Sequence, residues 1–296
     1  MAKRSLLFLC VPVALTAQSV AFSFDDGINP GEQPQGKAWN ASILTALANG
    51  KIKSVLFPAG RRVDSPGGLA LVRAWGEAGH WVGNHTYSHS SLAAETTTLQ
   101  AFEADVQKNE ELLKTIPGWT FRLRFPYLKE GNTAEKRDGF RAWMSAHGYQ
   151  PAPVSIDASD WYYNSRFLEA ENAAPGVKTA RFRKAYLNHL WERAAYYDQL
   201  AKQILGRSAK HVLLLHTNGI NAAFLPDVID MFRSKGWAII SPEEAFADPL
   251  YSMKPNILPA GESILWSLAN EKGIKGLRYP GEDSVYEKPK LEAMGL

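Results

Sequence analysis

Residues 20–30 read VAFSFDDGINP: an apolar, strand-like run that ends in two adjacent carboxylates, Asp25 and Asp26, and then a glycine. Asp-Asp-Gly is good turn chemistry, and a solvated turn is the simplest account of it. Two like charges at the mouth of a buried strand repel, however, so the rest of the chain has to decide. Similar runs recur at 53–57, 80–84, 120–125, 151–156, 211–216 and 236–240. Segments with helical spacing lie between several of them: WNASILTALANG closing on Gly50, GGLALVRAWGEAGH, and LQAFEADVQKNEELLKTIPG, which Pro117 stops. Strands alternating with helices imply a parallel sheet, because parallel neighbours need a crossover helix. About seven such strands favour an α/β fold in the form of a distorted, partly closed (β/α) barrel over an open sheet.

The composition is that of an ordinary globular chain, 45% hydrophobic and 21% charged over 296 residues. The first 17 residues stand apart. Lys3 and Arg4 precede an apolar stretch from Leu6 to Leu15, and small and polar residues follow, with Ala17 the expected last residue of a leader. That is the layout of a signal peptide, too short to span a bilayer. It predicts a secreted or periplasmic protein with no stable membrane insertion once the leader is removed. The single cysteine, Cys10, lies inside this segment, so disulfides and thiolate metal sites are excluded from residues 18–296. The formal net charge of +3 loses the two charges of Lys3 and Arg4, and no basic face remains to argue for nucleic acid. Residues 18–249 read as the catalytic domain. Residues 250–296, rich in proline and glycine with one helical piece at GESILWSLANEKG, read as an appendage packing on the barrel.

Polar residues gather at the strand ends. Asp25 and Asp26 follow the first strand, His85 and His89 the third, Arg124 ends the fourth, Asp157 and Asp160 lie beyond the fifth, and His216 ends the sixth. In parallel barrels these ends converge on the face that carries the active site. The stretch GNHTYSH sets His85 and His89 in an H-x₃-H spacing, which on a turn entering a helix puts both rings on one side. With a carboxylate from another strand end, two histidines make a three-ligand set that leaves a position open, as catalytic zinc requires.

SFDDG, HTYSH, RFPY, IDASDW and LLLH, in this order, resemble the five motifs of the polysaccharide deacetylases, the NodB-homology domain of carbohydrate esterase family 4. The resemblance covers about residues 19 to 245 and implies a distorted (β/α) barrel. It also implies Asp26, His85 and His89 as ligands of a divalent metal, zinc or in its place cobalt or another divalent ion. Asp25 resembles the catalytic base and Arg124 the arginine that orients it. The backbone N–H of Tyr127 resembles the oxyanion donor, with Phe125 standing where the family more commonly has proline. His216 resembles the general acid, Asp160 its carboxylate partner, and Trp161 and Leu214 the wall around the acetyl methyl group.

Arg122 is a rival for Arg124 but lacks the x-Pro-Tyr continuation. Asp157 reads as a turn-former, and His80, His147, His189 and His211 as structural or surface histidines. Tyr162 and Tyr163 suit either sugar stacking or loop packing. The function implied is removal of N-acetyl groups from an N-acetylated glycan, be it peptidoglycan, chitin-like oligomers or poly-N-acetylglucosamine. O-acetyl ester hydrolysis of the xylan type and a carbohydrate-binding pseudoenzyme are the alternatives. Substrate choice is expected in loops such as 160–176.

Overall fold

The computed structural model describes residues 18–279 and 283–296, so the expected leader at 1–17 lies outside the described residues. Nine strands are present among them: β1 (Ser19–Asp26), β2 (Val55–Pro58), β3 (Trp81–Asn84), β4 (Trp119–Leu123), β5 (Lys129–Gly131), β6 (Gln150–Pro151), β7 (Lys210–His216), β8 (Ala238–Ile239) and β9 (Ala260–Gly261). Seven form one parallel sheet in the order β6-β4-β3-β2-β1-β7, with β8 also on β1. β5 and β9 form a separate antiparallel pair.

The sheet curls until its edges meet, which makes the partly closed barrel. The closing piece is the segment after β6. Ala152 N–H donates to Leu123 C=O on the β4 side, and Ile156 N–H donates to Val212 C=O on the β7 side. The sequence suggests a strand over the whole of 151–156, but only Gln150–Pro151 and a bridge at Ile156 form. Pro151 and Pro153 lack the N–H groups that a continuous ladder needs.

β1 lies between β2 and β7, buried on both faces, as strands of a parallel sheet are. Its alternation explains the site. Phe22 and Phe24 point outward and pack on Phe232 and Trp75 of the flanking helices Gly219–Ser234 and Pro66–Glu77. Ala21, Ser23 and Asp25 share the other face. Their small side chains leave room for Arg124, which is 1% exposed and bonds to Ser23 Oγ, 3.1 Å away.

Three expectations about local structure need correction. Helix Gly36–Asn49 does end at Gly50, but Gly50 stays right-handed (φ −73°) and Lys51 takes the left-handed position (φ +55°). Residues 160–176, expected as a loop, begin with helix Asp160–Ala173. Its only buried residues are Asp160, Tyr163 and Phe167, too narrow an apolar stripe to read as a period. The segment beyond 250 contains helix Ile264–Glu271 near the expected place and a second helix, Asp283–Ala293, that Pro289 and its polar composition concealed. Ile264, Leu265, Leu268 and Leu291 share one hydrophobic core with the strands.

Candidate active site

Asp25 ends the inward-facing row of β1 and is 3% exposed. Arg124 Nη1 donates to both of its carboxylate oxygens at 3.0 Å, Nε donates to Ala152 C=O at 2.6 Å, and the guanidinium lies over the Phe57 ring. Burial raises the Asp25 pKa to about 6, a rise that Arg124 and His216 restrain without cancelling. Arg122, the rival arginine, instead places its guanidinium over Phe246 and Trp81.

The next residue turns the other way. Asp26 has φ +82° and Gly27 φ +79°, and Gly27 N–H donates to Asp25 C=O at 3.1 Å. The turn sends the Asp26 carboxylate to His85 and His89. Asp26 Oδ1 lies 3.2 Å from His89 Nε2 and 3.8 Å from His85 Nε2. The H-x₃-H spacing works without the expected helix, since helix Leu99–Leu113 starts ten residues after His89. Left-handed Thr86 (φ +60°) and His89 (φ +58°) fold the loop instead, bringing the two rings to 4.8 Å. Helix Leu99–Leu113 pins that loop. Asp105 accepts from Ser88 N–H, and Asn109 donates to Asn84 Oδ1 and to Pro58 C=O. Neither Asp105 nor Asn109 belongs to a motif, and Asn109 stands out only as a polar residue on the buried face of its helix with Phe102, Val106 and Leu113.

The donor set fits a divalent cation. His85 Nδ1 lies 2.8 Å from Arg124 C=O, which can only accept, so the ring proton is on Nδ1 and the Nε2 lone pair points at Asp26. Burial holds His85 well below the ordinary histidine range, and burial lowers His89 too, so both rings are neutral. For Asp26, burial favours the neutral acid, but the cations of His216 and Arg62 act against it and lower its pKa. Asp26 Oδ1 is buried and accepts no hydrogen bond. One ligand atom from each of Asp26, His85 and His89 lies within 4.8 Å of the others. A cation resolves that arrangement, and an ion in it would also relieve the repulsion between Asp25 and Asp26.

His216 closes β7, in register with Asp25 on β1. Its Nδ1 lies 2.6 Å from Asp160 Oδ1, while its own N–H and the amides of Asn218 and Asn221 all donate to Asp160 Oδ2. Burial would depress the imidazolium, but Asp160 chiefly, then Asp26 and Asp25, push its pKa up to about 10. Nε2 of His216 has no hydrogen-bond partner among the described residues.

A cavity of about 520 Å³ joins these groups: Asp25, Asp26, His85, His89 and His216 line it, with Tyr127, Trp161 and Leu214. Tyr127 and Trp161 are 61% and 48% exposed. Phe125 adopts φ −70°, the angle a proline would impose, and buries its ring against Phe102 and Phe140, so the turn is held without proline. Asp157 also lines the cavity, and its Oδ1 accepts from Ser159 N–H. Arg62, Lys129, Glu262 and Tyr279 line it as well, none of them marked by a motif. Tyr163 is buried on His189 and donates to Glu287, which settles it as core and not sugar platform. His80, His189 and His211 are buried in structural contacts and His147 is exposed, as the sequence suggests.

Backbone strain marks the same place. Of the eight non-glycine residues with positive φ among those described, Asp26, His89, Tyr127, Leu128, Ser159 and Glu262 line this cavity, and Thr86 sits in the His85–His89 loop. Such conformations persist only where the surroundings over-determine them, and they collect at functional sites.

The Asp26–His85–His89 cluster, the Arg124-paired Asp25 carboxylate and the Asp160-paired His216 thus meet at the strand ends of an α/β barrel. Residues 13–151, just under half of the chain, match the family model described as polysaccharide deacetylase. It is 28% identical over 144 residues to a peptidoglycan-N-acetylglucosamine deacetylase of Bacillus cereus, covering 48% of this chain and 46% of the relative. It is 30% identical over 146 residues to a chitooligosaccharide deacetylase of Rhizobium leguminosarum bv. trifolii, covering 49% and 60%. The matches thus span less than two thirds of either relative. A carbohydrate esterase family 4 pseudoenzyme from Bacillus anthracis has the same fold, with TM-score 0.54 at 14% identity over 78% of this chain and 66% of that one.

Proposed function

We propose that this protein is an exported, divalent-metal-dependent deacetylase that removes N-acetyl groups from the sugars of a glycan. Peptidoglycan, chitin-like oligomers and poly-N-acetylglucosamine are the substrate class. The observation that carries the reading is the meeting, in one cavity, of the Asp26–His85–His89 cluster with Arg124-held Asp25 and Asp160-held His216. A cation held by Asp26, His85 and His89, with zinc the ion best suited to that set, supplies Lewis-acid polarisation of the acetyl carbonyl and acidifies water.

The chain's own groups do the rest. Asp25 takes the proton of the attacking water, and Arg124 keeps its carboxylate aimed. The Tyr127 N–H donates to the acetyl oxygen as negative charge develops there. His216 hands its Nε2 proton to the departing nitrogen, giving acetate and the free amine. Leu214 and Trp161 enclose the acetyl methyl group.

Acetate release from a panel of N-acetylated oligosaccharides, with O-acetylated xylan alongside, tests the reading. Chelation abolishes release, added zinc or cobalt restores it, and His85→Ala lowers metal content together with rate. Full activity in demetallated protein would sink the metal's role, and glycan binding without acetate release would favour the pseudoenzyme. Export is tested separately. N-terminal sequencing of protein recovered outside the cytoplasm should begin near Gln18; an active cytoplasmic form retaining Met1 to Ala17 contradicts it. Among the described residues, no helix is long and apolar enough to cross a membrane.

A further inference from the structure

Part of the cavity wall is built from the chain beyond residue 250. β9 pairs with β5, and Glu262 N–H donates to Leu128 C=O at 2.8 Å. The approach needs glycine at 261: its φ is +122°, and a Cβ there would lie 2.0 Å from the Leu128 oxygen. Glu262 follows with φ +73°, opposite Tyr127 and Leu128, which are left-handed as well. A non-glycine residue held this way costs free energy, so the position of its side chain is the thing to explain.

That side chain is a carboxylate, 8% exposed overall. Lys129 Nζ and Tyr279 Oη both donate to its Oε1, the latter at 2.6 Å, and Lys129 also donates to Tyr279 Oη at 2.6 Å. All three residues line the cavity of the candidate active site. Oε2 accepts no hydrogen bond among the described residues. Lys129 offsets the charge of Glu262, which lowers the cost of burying it, yet one oxygen remains a strong acceptor. The cavity, at about 520 Å³, is far larger than an acetamido group needs. Neutral hydroxyl groups on a sugar ring match both the space and the acceptor.

We propose that Glu262, fixed by Lys129 and Tyr279, is a specificity-determining residue that accepts a hydrogen bond from a sugar hydroxyl of the bound glycan. The inference rests on the glycan reading above. Its test is binding and needs no turnover: an N-acetylglucosamine tetramer is titrated calorimetrically into chelator-treated protein, wild type, Glu262→Gln and Tyr279→Phe. A lost hydrogen bond to a charged group is expected to weaken binding about 10–100-fold in Glu262→Gln. Tyr279→Phe, which keeps the Glu262–Lys129 pair and the fold, loosens the carboxylate and should weaken binding about 3–10-fold by the same reasoning. It decides the matter alone if Glu262→Gln fails to fold. Wild-type affinity in the folded variants overturns the proposal, as does a wild-type protein that does not bind the tetramer. Tetramer binding that falls in the variants, with no acetate released by the metal-loaded wild type, refutes the deacetylase reading and leaves this one standing.

Discussion

Asp25→Asn is expected to keep its metal and lose its turnover. The amide is isosteric and cannot take a proton, and the three cation ligands are untouched. General-base catalysis is typically worth about 10²–10⁴-fold, which sets the expected fall in kcat. Asp26→Asn should do the reverse: the neighbouring substitution removes the only negative charge in the ligand set, so metal content falls and excess metal recovers part of the rate. Metal content and acetate release are measured side by side on both. If Asp25→Asn lost the metal while Asp26→Asn kept it, the two roles would be exchanged. In the wild type the base must be ionised, so kcat/KM should rise with pH through the Asp25 pKa, which burial raises and a cation beside it would lower.

Arg124 enters the same experiment with a complication that the structure exposes. It is 1% exposed and bonds to Asp25, Ser23 and Ala152. Arg124→Ala leaves a buried carboxylate without its partner, and breaking such a pair typically costs about 3–5 kcal/mol of stability. A variant made to disturb the base's orientation would thus also be a folding variant, and its rate has meaning only beside a denaturation curve.

Much of this geometry was legible because strand ends are legible. A parallel sheet sends its C-terminal ends to one face, so Asp25, His85, Arg124 and His216 could be expected to meet before any distance was known. Asp160 had the same origin, one element further on. The rest was hidden for physical reasons. His85 and His89 converge through two left-handed residues, Thr86 and His89, and sequence spacing carries no sign of φ. Glu262 and Tyr279 reach the cavity from a segment with no strand–helix period, through an antiparallel pair of two or three residues. Lys129 follows the RFPY stretch directly, but nothing local tells an exposed lysine from one bound to a carboxylate 133 residues away. Local patterns announce elements; they do not announce which distant loop completes a wall.

The acid end of the site gives the other large effect. His216→Ala removes the proton donor to the leaving nitrogen, and a loss of about 10²–10⁴-fold in kcat is expected for the amide. An acetate ester with a phenolic leaving group needs little protonation as it departs. Its hydrolysis should therefore suffer much less, which separates lost acid catalysis from lost folding. Asp160→Asn should act through pH. The His216 imidazolium owes its pKa of about 10 to Asp160 above all, against the opposing effect of burial. An opposite charge at contact distance typically shifts a pKa by about 1–3 units. Removing it lowers the His216 pKa, and because the acid must be protonated to work, the alkaline limb of kcat/KM moves to lower pH. Asn218, Asn221 and the His216 N–H still have an amide oxygen to bond at position 160, so the local fold should hold. The check is the pH profile of both variants with the N-acetyl substrate. An alkaline limb unmoved by Asp160→Asn would mean that His216 does not titrate in the reaction and that another group gives up the proton.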